Sequence, residues 1–485
     1  MTERPHSAYL VAQKQKLVDA VGLLAPSFDY VSVLGTDDRG ISFAAQPGET
    51  RTYEPAFVQR GFVFRAQKAG KVVEYATSSL PGDDASSCAR FVKERICLLL
   101  EGNGTEGTGA EGDKGEVVAI TYPTIPDEPL IEEFHGMLEF DPMTAEPESV
   151  LAKLTDLRTR LTDGKVVVSA MSRFDFVDVS RIFVSPHRQL FQSFGWAQAY
   201  LFGYARKGAS LKTSYRSTSG RKGLEILDDL AAQSDALAEE LADLLDAQRI
   251  EPGEYEVILD PDMAGTLAHE AFGHGVETDM FFKGRAKAVE YLGKRVGSDL
   301  VTMYDGAAGV DQTGSFLFDD EGTRATRTLI IDHGILKSGI SDELSALALG
   351  LPLTGNGRRQ AFSHKAYARM TNTYFAPGSS SYNEMLASVK YGWQLSHLNS
   401  GMEDPRNWGI QLFCLVGREI VDGKFSGRVA SPIVCSGYVP DVLAAISMVS
   451  GDFELSGSGY CGKGHKEYVK VSSGGPYVKT RMRLA

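Results

Sequence analysis

His269, Glu270 and His274 are the residues of this 485-residue chain whose types and spacing could do chemistry. Two histidines can hold a Zn²⁺ ion through ring nitrogens, and a glutamate beside the first can take a proton from water at that ion. The spacing is one residue longer than the H-E-x-x-H arrangement that puts both rings on one helical face. On a regular α-helix, positions i and i+5 differ by roughly 140° in direction and cannot grip one ion. A one-residue π-bulge, or a widened last turn at Gly273, would bring them round, and such bulges favour functional sites. The bland alternative leaves His274 as a histidine at a helix C-terminus before Gly275, where the helix dipole favours it.

A catalytic zinc needs a third protein ligand and an open position. Glu277, Asp279, a cysteine or a distant histidine could supply that ligand. Cys461 stands in Gly457-Ser458-Gly459-Tyr460-Cys461-Gly462-Lys463-Gly464. Its glycines permit a tight loop that presents a thiolate, and Lys463 could help depress the thiol pKa. Cys435 and Cys414, the latter between Phe413 and Leu415, read as core.

These residues need a scaffold. Asp260 can cap a helix with Pro261 at its first position, and that helix runs through Met263, Leu267 and Ala268 into the histidines. Upstream, Val31, Val33 and Leu34 read as a strand leading into a turn at Asp37-Asp38-Arg39-Gly40. Phe62–Arg65 pairs with Val72–Tyr75 across Ala69-Gly70. Residues 84–100 read as a helix, Glu101–Glu116 as a solvated Gly- and Glu-rich loop, and Lys165–Met171, Val177–Val184 and Ala197–Tyr204 as strands. Leu227, Leu230, Leu237, Leu241 and Leu244 predict one amphipathic helix over Leu224–Gln248. Beyond Pro252-Gly253, Tyr255–Leu259 reads as a strand. Short apolar segments between glycine-rich turns follow: Thr326–Ile331, Gln411–Val416, Glu419–Val421, Ile433–Val434 and Tyr468–Val471. The expected architecture is α+β, with an N-terminal α/β domain of antiparallel strands and packing helices (1–250). A C-terminal β-rich domain (251–485) carries the zinc-site helix.

The chain is 43% hydrophobic and 23% charged with a formal charge of −13, which excludes global disorder. No apolar run approaches the ~18 residues of a membrane span. The acidic balance argues against nucleic acid and membrane surfaces as partners, since both are polyanions. Met1–Lys16 lacks an apolar export segment, so the expected location is cytoplasmic. There the five cysteines serve as core, ligands or nucleophiles.

His269-Glu270 with His274-Gly275, then Phe318-Asp319-Asp320-Glu321-Gly322, Gly355-Asn356-Gly357-Arg358-Arg359, Arg369-Met370-Thr371-Asn372 and Gly459-Tyr460-Cys461-Gly462-Lys463 occur in this order. Together they resemble the TldD/PmbA family of metallopeptidases, in its TldD-type subunit that carries the HExxxH motif. The likeness covers nearly the whole chain, including the Gln59–Arg65 hairpin. It implies one Zn²⁺ per chain held by His269, His274 and Cys461, with Glu270 as general base on a zinc-bound water. It also implies unfolded or short peptides as substrates, including precursors whose leader is removed, cleaved in an enclosed dimer cavity. The partner would be a homologue lacking the motif, or a second copy. Three departures stand out: His465 where the family usually has Gln, the extra loop at 101–116, and a short closing segment at Lys479–Ala485.

Other residues carry two readings each. Asp319, Asp320 and Glu321 could bind a substrate N-terminus or second metal, or be solvated acids in a turn. Arg369 and Asn372, with His364 nearby, could hold a carbonyl oxyanion or brace a Gly-rich loop. His465 is a spare candidate for metal binding or proton transfer. His333 reads as part of a hairpin turn. Two competing classes remain: a non-catalytic protein-binding modulator, matching the family's older gyrase-modulator label, and a structural zinc with a fourth ligand from His465, Glu277 or Cys435.

Overall fold

The computed structural model describes residues 1–101, 120–162, 166–464 and 466–485. It is an α+β protein whose C-terminal region is rich in strands. Most of the expected Glu101–Glu116 loop, Lys165 at the start of one expected strand, and His465 lie outside the described residues.

Eight strands form the N-terminal sheet. Its centre is a pair of long antiparallel strands, Tyr30–Gln46 and Val167–Val184, flanked by Gln59–Lys68 and Arg188–Lys207. Alternation puts Val31, Val33, Phe43 and Ala45 on one face. Helices Ala8–Leu24 and Ala85–Glu101 cover one end of that face with Leu10, Leu17, Val21, Cys88, Val92 and Ile96. Helices Pro147–Thr162 and Ser234–Leu245 cover the other end with Leu154, Leu157, Leu161, Leu237 and Leu241. Each such side chain, once buried, contributes about 1.5–3 kcal/mol of transfer free energy. The opposite face is also apolar, and there Leu34, Val177, Phe183 and Trp196 pack against Phe316, Phe318 and Tyr460 from the C-terminal half.

Two local expectations change. Asp37-Asp38-Arg39-Gly40 is no turn, because the strand runs through it. The two aspartates are buried with cross-strand partners: Arg60 Nε reaches Asp37 at 2.8 Å, while Arg181 Nη2 (3.2 Å) and Gln59 Nε2 (3.0 Å) reach Asp38 Oδ2, leaving Asp38 Oδ1 without a partner. Cross-strand cations thus offset part of the penalty for burying the pair, although burial still pushes the Asp38 carboxyl up to about 6 against the pull of Arg181. The helix expected over Leu224–Gln248 breaks into Ile226–Ala231 and Ser234–Leu245. The break lets leucines of both pieces reach the same core.

In the C-terminal half, strands Gly253–Leu259, Tyr391–Asp404, Gly409–Val421, Ile433–Tyr438 and Val478–Leu484 pair in a circuit that returns to its first member. A second sheet of six short strands ends in the edge strand Glu454–Ser456, next to Ser472–Gly475. Between these sheets lies the largest core, with Met263, Leu267, Ala268, Ala271 and Phe272 of the motif helix buried in it. His333 and Gly334, at φ 45° and 78°, form the expected hairpin turn. No helix among the described residues is long and apolar enough to cross a membrane.

Candidate metal centre

The helix that carries the histidines starts as its sequence dictates. The Asp260 carboxylate accepts the Met263 N–H at 2.8 Å, and Pro261 fills the first helical position. Regular turns end at Ala268, and His269–Gly273 widens into one π-turn in which the His274 N–H bonds to the His269 carbonyl. Phe272 absorbs the distortion at φ −129°, ψ 17°. The rotation that a regular helix would forbid is thereby supplied. The His269 and His274 rings stand 5.2 Å apart, edge to face at 89°.

Cys461 meets them from the far end of the chain. It lies on strand Tyr460–Lys463, paired with Glu467–Lys470, and its Sγ is 3.5 Å from His274 Nε2. The ligand atoms of His269, His274 and Cys461 all lie within 4.8 Å of one another. Burial opposes a thiolate at Cys461, but His274 and His269 outweigh it and hold the thiol well below its usual range. Burial likewise opposes charge on both imidazoles, yet Cys461 raises His269, and Cys461 with Glu277 raises His274 well above the usual histidine range. A thiolate facing two imidazole nitrogens is the donor chemistry of a zinc site, so the residues fit the ion.

Neighbours fix this hairpin from both sides. Arg369 Nη2 donates to the Cys461 carbonyl at 2.6 Å. Tyr460 stacks on Phe57 with centroids 4.7 Å apart, and the Tyr200 hydroxyl donates to the Ser458 carbonyl. The three ligands open onto a cavity of about 1750 Å³, walled by Tyr215–Ser219, Leu398–Glu403 and Glu454–Ser456. Glu270 faces this cavity and packs so tightly on Gly401 that a Cβ there would meet its Cγ at 2.8 Å. Glu403 lies beside Gly275, both carboxylate oxygens buried without a hydrogen-bond partner. Burial, aided by Glu270 and Glu277 against the pull of His274, pushes its carboxyl up to about 9.

Comparison with known proteins decides the family. Residues 252–483 match the profile described as the PmbA/TldA metallopeptidase C-terminal domain. A metalloprotease of Methanocaldococcus jannaschii is 30% identical over 375 residues, covering 76% of this chain and 80% of that protein. The chain belongs to the TldD/PmbA family of metallopeptidases. A zinc metalloprotease TldD homolog of Saccharolobus solfataricus is 35% identical over 230 residues, 47% of this chain and 51% of its own length. Among solved structures, TldE of Thermococcus kodakarensis aligns with a TM-score of 0.73 at 16% identity, covering 97% of this chain and 100% of that one. A Thermotoga maritima protein described as a DNA gyrase modulator aligns at 0.75 and 17%, with the same coverage. At those identities the likeness is one of fold.

In this TldD/PmbA chain the other expected residues sit elsewhere. Arg369 and Asn372 are fully buried, and the Asn372 amide donates to the Gly306 carbonyl (2.9 Å) and Ser315 (3.0 Å). Asp320 accepts the Arg359 N–H at 2.8 Å and pairs with Arg181, while Glu321 pairs with Arg65 at 2.6 Å. Asp319 accepts the N–H groups of Glu321, Thr323 and Gly357. None of these lines the cavity. Cys435 is buried in the strand circuit opposite Leu484. A second group of possible ligands is His6, Glu133 and His135. Its two rings overlap at 4.0 Å with a 33° tilt, Glu133 pairs with Lys14 at 2.6 Å, and His135 Nδ1 lies 2.9 Å from the Arg4 carbonyl, so two of its donor atoms are already engaged.

Glu277 and Asp279 are candidate ligands by sequence position. The structure puts Glu277 behind His274, its Oε2 3.3 Å from Nδ1, and puts Lys463 against both acids. Glu403 carried no sequence signal, since it lies more than a hundred residues from the motif. Tyr200 and Gln198 were equally silent as bare strand residues.

Proposed function

We propose that this chain is a zinc-dependent peptidase, with His269, His274 and Cys461 as the ligands and Glu270 as the general base. The observation that carries the reading is the convergence of exactly those three donor atoms on a cavity that Glu270 also faces. When bound, Zn²⁺ supplies a Lewis acid that polarises a peptide carbonyl and lowers the pKa of water. Glu270 takes the proton of the attacking water and passes it to the leaving amine as the C–N bond breaks. Three protein donors among the described residues favour an open, catalytic site over a closed structural one.

The substrates in this reading are unfolded or short peptides. The cavity is larger than a metabolite pocket and is bordered by two sheet-edge strands, Glu454–Ser456 and Ser210–Gly220. An extended chain can add to such an edge through backbone hydrogen bonds that tolerate many sequences. We extend the reading to two domains meeting near residue 250, a cytoplasmic setting, and a dimer with a motif-lacking homologue or a second copy.

Native mass spectrometry of the purified chain and its Cys461→Ser variant, with cleavage assays on an unstructured peptide, tests this. One zinc per chain, weakened by Cys461→Ser, is expected, as is a Glu270→Ala variant that keeps zinc and loses cleavage. A wild-type chain without zinc, or an active Glu270→Ala variant, overturns it.

A further inference from the structure

A ring of contacts ties the candidate ligands to Glu277, Lys463 and Asp279, the first two of which also lie on the cavity wall. Glu277 Oε2 is 3.3 Å from His274 Nδ1 and 3.0 Å from Lys463 Nζ. Lys463 Nζ also donates to Asp279 Oδ1 at 2.6 Å and to the Ala368 carbonyl at 2.9 Å. An ammonium has three donors, so all three of Lys463 are taken. Lys463 stands two residues after Cys461 on the same strand, and Cys461 Sγ closes the ring at 3.5 Å from His274 Nε2. Glu277 and Asp279 are 2% and 6% exposed, so water competes little for these bonds.

We propose that Glu277 and Lys463 are positioning residues for the metal centre: Glu277 orients the His274 ring, and Lys463 ties Glu277 to the strand that carries Cys461. A carboxylate can only accept, so the hydrogen bond requires the proton on His274 Nδ1 and turns the Nε2 lone pair toward Cys461 and the ion. Lys463 keeps Glu277 in that pose and sets the distance between two ligands 187 positions apart in sequence before any ion arrives. Because the ion then need not organise its own site, less binding free energy goes into ordering. This inference rests on the zinc reading above.

The test uses the full chain and competition for Zn²⁺ against a chromophoric chelator. Glu277→Gln and Lys463→Met are expected to bind 10–100-fold more weakly than wild type, with Lys463→Arg recovering part of the loss. A plain structural salt bridge would change the melting temperature of the chelator-treated chain but leave zinc affinity within about twofold. That outcome, in a wild type that binds zinc, overturns the proposal alone. A wild type that binds no zinc overturns the peptidase reading and the proposal with it. Should the variants fail to fold, ¹⁵N-histidine spectra of the zinc-loaded wild type decide. His274 protonated at Nδ1 supports the proposal, and His274 protonated at Nε2 overturns it.

Discussion

Gln198 Nε2 donates to the Tyr460 hydroxyl at 2.9 Å, joining the N-terminal sheet to the residue next to Cys461. The same amide nitrogen donates to Asp175 Oδ2 at 2.9 Å, and the Gln198 carbonyl oxygen accepts from Lys470 Nζ at 2.5 Å. Lys470 is buried over the Tyr460 ring, and burial holds its ammonium well below the usual lysine range. Replacing Gln198 by Leu removes one partner each from Tyr460, Asp175 and Lys470, of which Asp175 keeps Ser42 and Arg173. We expect a loss on the order of 3 kcal/mol by urea unfolding, together with weaker zinc retention. Tyr200→Phe removes one hydroxyl from the same grip and should cost about 1 kcal/mol. If Gln198→Leu unfolds like wild type, the N-terminal sheet does not hold the cysteine hairpin.

Gly265 sits inside the motif helix, where glycine costs about 1 kcal/mol relative to alanine. A Cβ there would lie 2.2 Å from Gly474 N and 2.3 Å from its Cα, and a backbone cannot rotate away as a side-chain tip can. Close approach to strand Ser472–Gly475 therefore outweighs helix propensity. Gly265→Ala should destabilise by about 1–3 kcal/mol net despite its better propensity, and should shift both histidines. Thermal unfolding checks the first effect and zinc stoichiometry the second. A more stable variant with full zinc would show that the helix can slide.

How much of this was legible beforehand differs by element. The cap at Asp260 and the π-turn both followed from local rules, because a five-residue histidine spacing leaves a helix few ways to gather the rings. The Phe62–Arg65 hairpin was equally readable, with Ala69 and Gly70 at φ 51° and 75° making its turn. Failure came where distant partners decided. Nothing near Asp37 and Asp38 announces that Arg60 and Arg181 pair with them inside a strand. Nothing near Arg369 or Asn372 shows that Arg369 Nη2 reaches the Cys461 carbonyl and the Asn372 amide reaches Gly306 and Ser315. Cys461 lay between these cases. Its glycine-flanked setting suggested exposure, whereas the structure buries it and presents only its sulfur to the histidines.

Acid should open the cavity wall at Glu240. This carboxylate, on helix Ser234–Leu245, binds His397 Nε2 at 2.9 Å and Arg216 Nη2 at 3.1 Å, and His397 lines the cavity. Burial alone would raise its pKa, but His397 and Arg216 overcome burial and hold it down to about 2, against 4.5 ordinarily. The unfolded chain therefore binds the proton first. The stabilisation is complete above pH 4.5 and is lost as pH falls toward 2, with a magnitude on the order of 3 kcal/mol. Glu240→Gln should be less stable than wild type at pH 6, with the gap closing by pH 2.5. Urea midpoints across that range check it, and a gap independent of pH would remove Glu240 from the acid response.

Metal removal should act on the fold as well as on catalysis. The proposed ligands come from the helix that starts at Pro261 and from the Tyr460–Lys463 strand, so an ion bound to both cross-links segments that no disulfide joins. A ligand that binds only the folded chain stabilises it by RT ln(1 + [L]/Kd), about 2.7 kcal/mol at one hundred times Kd. Chelator should therefore lower the melting temperature of wild type, and added Zn²⁺ should restore it. Cys461→Ser should start lower and respond weakly to either. The Glu270→Ala variant should respond like wild type, because the proposed base is not among the ligands. A melting temperature insensitive to chelator in a chain shown to carry zinc would mean that the ion is held by one segment alone, and that Cys461 is not one of its ligands.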